Sequence, residues 1–142
     1  MDTTQSIGHN LANTGRKVTQ HLTQLFEQYG ITSEQWYVLH RLTERDGITQ
    51  LELSKRTEKD PTNITRILDQ LSRKGWIERK ANALDRRSYL LYVTPSGVTL
   101  SQLLSPIEKQ FTDKLAALLT PEQLDNLKLS LHMINQYLNS TK

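Results

Sequence analysis

Residues 60–75, DPTNITRILDQLSRKG, constrain this chain most, because they spell out one helix with its start, its stop and two unlike faces. The Asp60 carboxylate can cap the first turn, and Pro61 fits the first helical position, where its missing N–H is no loss. Ile64, Ile67, Leu68 and Leu71 fall at i, i+3, i+4 and i+7 and form one apolar stripe. Gly75 follows Arg73 and Lys74, as a glycine just past a basic last turn does. The opposite face carries Thr62, Asn63, Thr65, Arg66, Asp69, Gln70 and Arg73. Short polar groups near a helix N-terminus can approach base edges in a major groove, and arginines can reach guanine or phosphate. An ordinary amphipathic surface helix also has a solvated polar face, so the neighbouring segments must decide.

Two helices precede this one. Residues 32–45 open with Thr32 and Gln35 at capping-box spacing and carry Trp36, Leu39 and Leu42 on an apolar face, with Val38 beside it. Asp46-Gly47 is a turn signal. Residues 49–57 repeat the capping-box spacing with Thr49 and Glu52, and Leu51 and Leu53 are expected to point to the core. Only Glu58 and Lys59 separate this helix from Asp60, which is the tight connection of a helix-turn-helix. The turn lacks the glycine that the tightest version uses. After Gly75 the period changes: residues 76–80 and 89–93 read as strands, with Tyr89, Leu91 and Val93 alternating with Leu90 and Tyr92. Residues 81–88, ANALDRRS, lie between them. A hairpin with a basic tip directly after such a helix is the sequence pattern of a winged helix. Adjacent arginines at the tip suit a narrow minor groove, where the potential is most negative, whereas a plain surface hairpin has no need of them.

Long helices flank this centre. Residues 7–29 read as one helix, with Ile7, Leu11, Val18, Leu22, Leu25 and Tyr29 on one side and Gly30 at its end. Thr94-Pro95 opens a fifth helix that runs to about residue 119. Pro106 lies inside it and is expected to kink or break it near residues 102–105, at ~3 kcal/mol if nothing supports it. Thr120 and Gln123 form a third capping box before a last helix, where Leu124, Leu127, Leu131, Ile134 and Leu138 make a heptad-like seam. Residues 139–142 are expected to fray. These arms carry more apolar seam than the small centre can cover, so a homodimer is the economical reading and a monomeric helical core the alternative. The fold class that follows is mainly α with a small β-hairpin (α+β). Residues 1–31 form an N-terminal dimerisation helix and 95–142 C-terminal dimerisation helices. Residues 32–94 form a winged helix-turn-helix, with a recognition helix at 60–74 and a wing at 76–93.

Charge supports the central assignment. Residues 49–94 hold ten of the 18 Lys and Arg but six of the 15 Asp and Glu, an excess of four, while the remainder carries eight against nine. The positive excess therefore sits with the candidate recognition helix, as in a nucleic-acid-binding unit joined to a neutral one. The chain has no cysteine, which excludes disulfides, thiolate metal sites and thiol redox sensing. No apolar run approaches the ~18 residues of a membrane span, and the N-terminus shows no secretory signal, so a cytoplasmic protein is expected.

Residues 63–71, 74–79, 85–88 and 91–97 together resemble the recognition helix and wing of the MarR family of transcriptional regulators. The match of Asp85-Arg86-Arg87 to the wing signature, an Asp, any residue and an Arg before a strand ending in Leu/Val-Thr, carries much of the likeness. The resemblance implies a homodimer whose two winged helix-turn-helix lobes bind a pseudo-palindromic operator, with repression as the usual mode. It implies DNA contacts from Asp60 and Arg66 on the recognition helix and from Arg87 on the wing, and it places Asp85 as the acid that shapes the wing by pairing with an arginine. With the face read above, the expected DNA-binding set is Asp60, Pro61, Thr62, Asn63, Thr65, Arg66, Arg73, Arg86 and Arg87, with Lys55, Arg56, Lys59 and Lys74 as further phosphate partners. A small aromatic or anionic effector is expected in the cleft between arms and lobe, drawing on Arg16, Trp36, Tyr37 and His40, and released DNA would follow its binding.

Other classes fit less well. No G-x-S-x-G, P-loop or Gly-rich dinucleotide loop is present, so an enzyme is not expected. His9, His21, His40 and His132 lack metal-ligand spacing, and neither a metal nor a cofactor is expected. The alternative is a winged-helix module that binds protein without specific DNA binding. It would favour an apolar or acidic surface over Thr62, Asn63, Thr65, Arg66 and the Arg86-Arg87 tip.

Overall fold

The computed structural model describes residues 6–141. The chain forms two compact units, Met1–Pro106 and Ile107–Lys142. In chain order the elements are α1 (Ile7–Leu25), a short 3-10 turn (Glu27–Tyr29), α2 (Ser33–Glu44), β1 (Ile48–Thr49), α3 (Gln50–Thr57), α4 (Pro61–Arg73), β2 (Ile77–Ala81), β3 (Tyr89–Val93), α5 (Pro95–Ala117) and α6 (Pro121–Ser140).

The core of the first unit lies among α2, α3, α4, the strands and the start of α5. Trp36, Val38, Leu39 and Leu42 of α2 meet Leu53 of α3, Ile64, Ile67, Leu68 and Leu71 of α4, Ile77, Leu91, Leu100 and Leu104, all buried. Each aliphatic side chain of the α4 stripe contributes about 2 kcal/mol by leaving water. Of the two leucines of α3 expected to face inward, only Leu53 does, while Leu51 is 62% exposed. Two residues along a helix are about 200° around it, so one apolar face cannot hold both.

Caps define the helix starts. Thr32 and Thr120 form full capping boxes with Gln35 and Gln123. At α3 the box is half made: Thr49 Oγ1 accepts from the Glu52 N–H at 3.2 Å, and the Glu52 carboxylate turns to Arg56 at 3.4 Å. The long first helix stops earlier than its periodicity indicates, because Phe26 is drawn into the core and the chain tightens into the 3-10 turn before left-handed Gly30.

The sheet has three antiparallel strands in the order β1-β3-β2, one more than the sequence pattern shows. Ile48 pairs with Leu91 and Thr49 with Leu90, while Ile77 faces Val93 and Ala81 faces Tyr89. A two-residue strand has no periodicity to read, and Thr49 serves both as strand end and as N-cap of α3.

Helix α5 runs through Pro106 without a break. The carbonyl that Pro106 leaves without a partner belongs to Gln102, and both residues are exposed, so water can satisfy it. Helix α6 continues to Ser140, so Asn139 and Ser140 are helical rather than frayed, and Lys142 lies outside the described residues. Neither α1 nor α6 has a buried residue. Ile7, Leu11 and Leu25 of α1 and Leu127, Leu131, Met133, Tyr137 and Leu138 of α6 are exposed apolar side chains.

Candidate nucleic-acid interface

Helix α4 begins as its sequence dictates. Asp60 Oδ1 accepts a hydrogen bond from the Asn63 N–H at 2.9 Å, and Pro61 occupies the first turn. The preceding turn has no glycine, and Glu58 takes the left-handed conformation instead, at φ 56°. That conformation is unfavourable for a residue with a Cβ by roughly 1 kcal/mol, and it lets α3 and α4 meet across only three linking residues, Glu58, Lys59 and Asp60.

The polar face of α4 divides in two. Its N-terminal half presents Thr62, Thr65 and Arg66 to solvent, with Asn63 half-buried. Thr65 Oγ1 donates to the Pro61 carbonyl at 2.9 Å and accepts from Gln50 Nε2 at 2.5 Å. In its C-terminal half, Asp69 and Gln70 meet other elements. Asp69 pairs with Arg79 of β2 at 2.7 Å, and Gln70 accepts from Gln35 Nε2 of α2 at 3.0 Å. Asp69 and Gln70 therefore hold α4 to its neighbours. The helix period shows only that they share a stripe with Thr62 and Arg66; the partners come from elements 35 and ten residues away.

The basic residues also sort by position. Arg73 is exposed on the last turn of α4. Lys74 Nζ donates to the Gly30 carbonyl at 3.1 Å and lies 5.6 Å from the Trp76 ring centroid, so this cation ties the end of α4 to the end of the first arm. Arg56 pairs with Glu52, and Lys59 lies 5.8 Å from the Tyr37 ring centroid.

The wing is held in shape by its own short side chains. Asn82 Oδ1 accepts from the Leu84 N–H at 3.0 Å, and Asn82 Nδ2 donates to Ser88 Oγ at 3.0 Å. Asp85 Oδ1 accepts from the Arg87 N–H at 2.9 Å and lies 3.5 Å from Arg87 Nε. These bonds turn the chain at the tip and leave Arg86 and Arg87 exposed.

The residues expected to hold an effector sit in different surroundings within the protomer. Trp36 is 1% exposed and packs edge-on against Phe26 and beside His40. Arg16 is on exposed α1 and donates to Asn13 at 3.4 Å, and Tyr37 faces solvent beside Lys59. A cleft of about 370 Å³ lies elsewhere, between the start of α3 and the wing, lined by Gln50, Leu51, Arg79, Asp85, Arg87 and Tyr89 among others.

Three side chains to which sequence reasoning gave no role touch the polar face of α4: Gln50 on Thr65, Glu34 on Arg66, and Arg79 on Asp69. Each contact joins different elements, so no local spacing announces it.

Comparison with known proteins gives the geometry its family. The MarR family model matches residues 31–89, from the end of the first arm to the start of the second wing strand. The multiple antibiotic resistance protein MarR of Salmonella typhimurium is 34% identical over 96 residues, 68% of this chain and 67% of that protein. The chain belongs to the MarR family. The MarR family consists of transcriptional regulators rather than enzymes. Another relative, the HTH-type transcriptional repressor NicR of Pseudomonas putida, is 29% identical, over 79% of this chain and 71% of NicR. Among solved structures, the MepR–DNA complex of S. aureus shares the fold at a TM-score of 0.89 and 26% identity, over 93% of this chain and 97% of MepR. As a MarR-family transcriptional regulator, the protein is mainly helical with a winged helix-turn-helix, and no described helix is long and apolar enough to cross a membrane.

Proposed function

We propose that the protein is a cytoplasmic, sequence-specific repressor that binds a pseudo-palindromic operator as a homodimer. One observation carries this reading. The N-terminal half of α4 offers Thr62, Thr65 and Arg66 to solvent from a helix whose opposite face is fully buried, and the wing beside it ends in two exposed arginines. A rigid helix with short polar groups at its N-terminal end suits base edges in the major groove, and an exposed arginine pair suits the adjoining minor groove. Asp60 orients the helix start, and Asp85 shapes the wing. Arg73 is placed for phosphate. The named DNA complex of MepR supports the partner, and the repressor name of NicR the sign of regulation.

The dimer rests on the exposed apolar side chains of α1 and α6, which fit a second copy, and on the habit of the family. Two recognition helices would then be about 34 Å apart, one turn of DNA. Release by a small anionic or aromatic effector would draw on Arg16, Trp36, Tyr37 and His40, or on the cleft between α3 and the wing, where Leu51 and Tyr89 give apolar area and Arg79 and Arg87 stand beside Asp69 and Asp85. A ligand there would release DNA only by binding the free and bound wing positions unequally.

Selection of bound duplexes from a random pool tests the reading. A pseudo-palindromic site bound with a steep salt dependence is expected; weak binding with no preferred site would favour the protein-binding module. Arg66→Ala should lower affinity for the selected site by ~1–3 kcal/mol, and an equal loss on random DNA would show that Arg66 meets phosphate alone.

A further inference from the structure

Arg66 is the cation placed for base contact on α4, and it is not a free side chain. Its Nη2 donates to Glu34 Oε1 and to Asn63 Oδ1, both at 2.5 Å. Asn63 is its own helix neighbour, but Glu34 belongs to the first turn of α2, 32 residues earlier in the chain. Both ends of the ion pair are partly exposed, at 54% for Arg66 and 40% for Glu34, so the pair sits at the surface. A carboxylate beside a DNA-binding face is repelled by phosphate, and an exposed ion pair contributes little to stability. The dipole of α2 accounts for an acid in its first turn, but not for the reach of that acid to Arg66.

We infer that Glu34 is a specificity-determining, positioning residue: by holding Arg66 through Nη2, it fixes the guanidinium for base readout and denies that charge to phosphates of arbitrary sequence. The bonds use Nη2 alone, which leaves the donors on Nε and Nη1 for another partner. A planar guanidinium held at one corner loses less conformational freedom when it makes a bidentate contact. The Glu34 charge meanwhile offsets the attraction of Arg66 for phosphate, which is the sequence-independent part of binding. Discrimination rises on both counts. The inference rests on the proposed reading of α4 as the base-reading helix.

The test uses the full-length protein, the duplex it selects from a random pool, and a scrambled duplex of equal length and composition. The ratio of the two affinities is the readout. Glu34→Gln should lower that ratio by about fivefold or more, the low end of one base contact, with tighter binding to the scrambled duplex and a steeper salt slope on it. Glu34→Asp keeps the charge but shortens the reach, and should lower the ratio without tightening scrambled binding. Smaller changes in the ratio with both variants overturn the inference. Arg66→Ala separates the two levels of the argument. If it leaves the ratio unchanged, α4 does not read bases through Arg66 and the underlying reading fails with the inference. If it lowers the ratio while both Glu34 variants do not, the inference alone fails. In the Arg66→Ala background, Glu34→Gln should have no further effect on the ratio; a further fivefold fall there would show that Glu34 acts through another group.

Discussion

Gly97→Ala should destabilise this protein, although alanine is the better helix former. Gly97 lies in the first turn of α5 and is buried against the chain just before β2. A Cβ there would stand 2.2 Å from the Trp76 carbonyl oxygen, 2.7 Å from Val93 Cγ1 and 3.1 Å from the Trp76 carbonyl carbon. Two of these neighbours are backbone atoms, which cannot rotate away. The same Trp76 oxygen accepts from the Thr94 N–H at 3.0 Å, and Thr94 Oγ1 both donates to the Gly75 carbonyl at 2.6 Å and accepts from the Gly97 N–H at 3.1 Å. Relief of the clash therefore moves the end of α4, the start of β2 and the start of α5 together. Overpacking of this kind costs about 3 kcal/mol, and weakening the Trp76–Thr94 bond adds about 1 kcal/mol. Helix propensity offsets about 1 kcal/mol, so the net loss is about 3 kcal/mol. Urea denaturation at one fixed protein concentration measures it, since the stability of the proposed homodimer would depend on concentration. Gly15→Ala is the control: no heavy atom lies within 4 Å of its added Cβ in the protomer, and the same propensity should stabilise by about 1 kcal/mol. A Gly97→Ala protein as stable as the parent would refute the packing argument.

Two further perturbations separate structure from DNA contact. Asp60→Ala should destabilise by about 1 kcal/mol through loss of the Asn63 cap, whereas Asp60→Asn keeps a capping oxygen and should be near neutral; equal losses in thermal melts would show that the charge, not the cap, matters. Replacement of Arg86 and Arg87 together by Gln should reduce the slope of log affinity against log salt by about 1 or more per protomer with unchanged stability. An unchanged slope would remove the wing from the binding surface.

What the sequence determined was whatever is local. A residue's helix face, its cap and its turn chemistry depend on neighbours within about four positions, so Asp60, Pro61 and the Ile64–Ile67–Leu68–Leu71 stripe announce α4, and the Thr32, Thr49 and Thr120 caps place three further starts. The change of period after Gly75 gives the wing for the same reason. The recognition-helix residues and the Asp85-Arg86-Arg87 motif are equally local, and together they carried the family likeness.

Tertiary structure decided what depends on distant partners. Leu51 and Leu53 look alike in sequence, yet only one finds a core. Ile48-Thr49 becomes a strand solely because Leu91 and Leu90 offer it an edge. Trp36 fills the interior because Phe26 and His40 pack against it. The polar face of α4 is uniform on a helical wheel but not in space: Asp69 and Gln70 are claimed by Arg79 and Gln35, and Arg66 is met by Glu34. Hydrogen bonds and ion pairs act over about 3 Å, and which side chains come that close is set by packing of the apolar stripes, not by spacing along the chain.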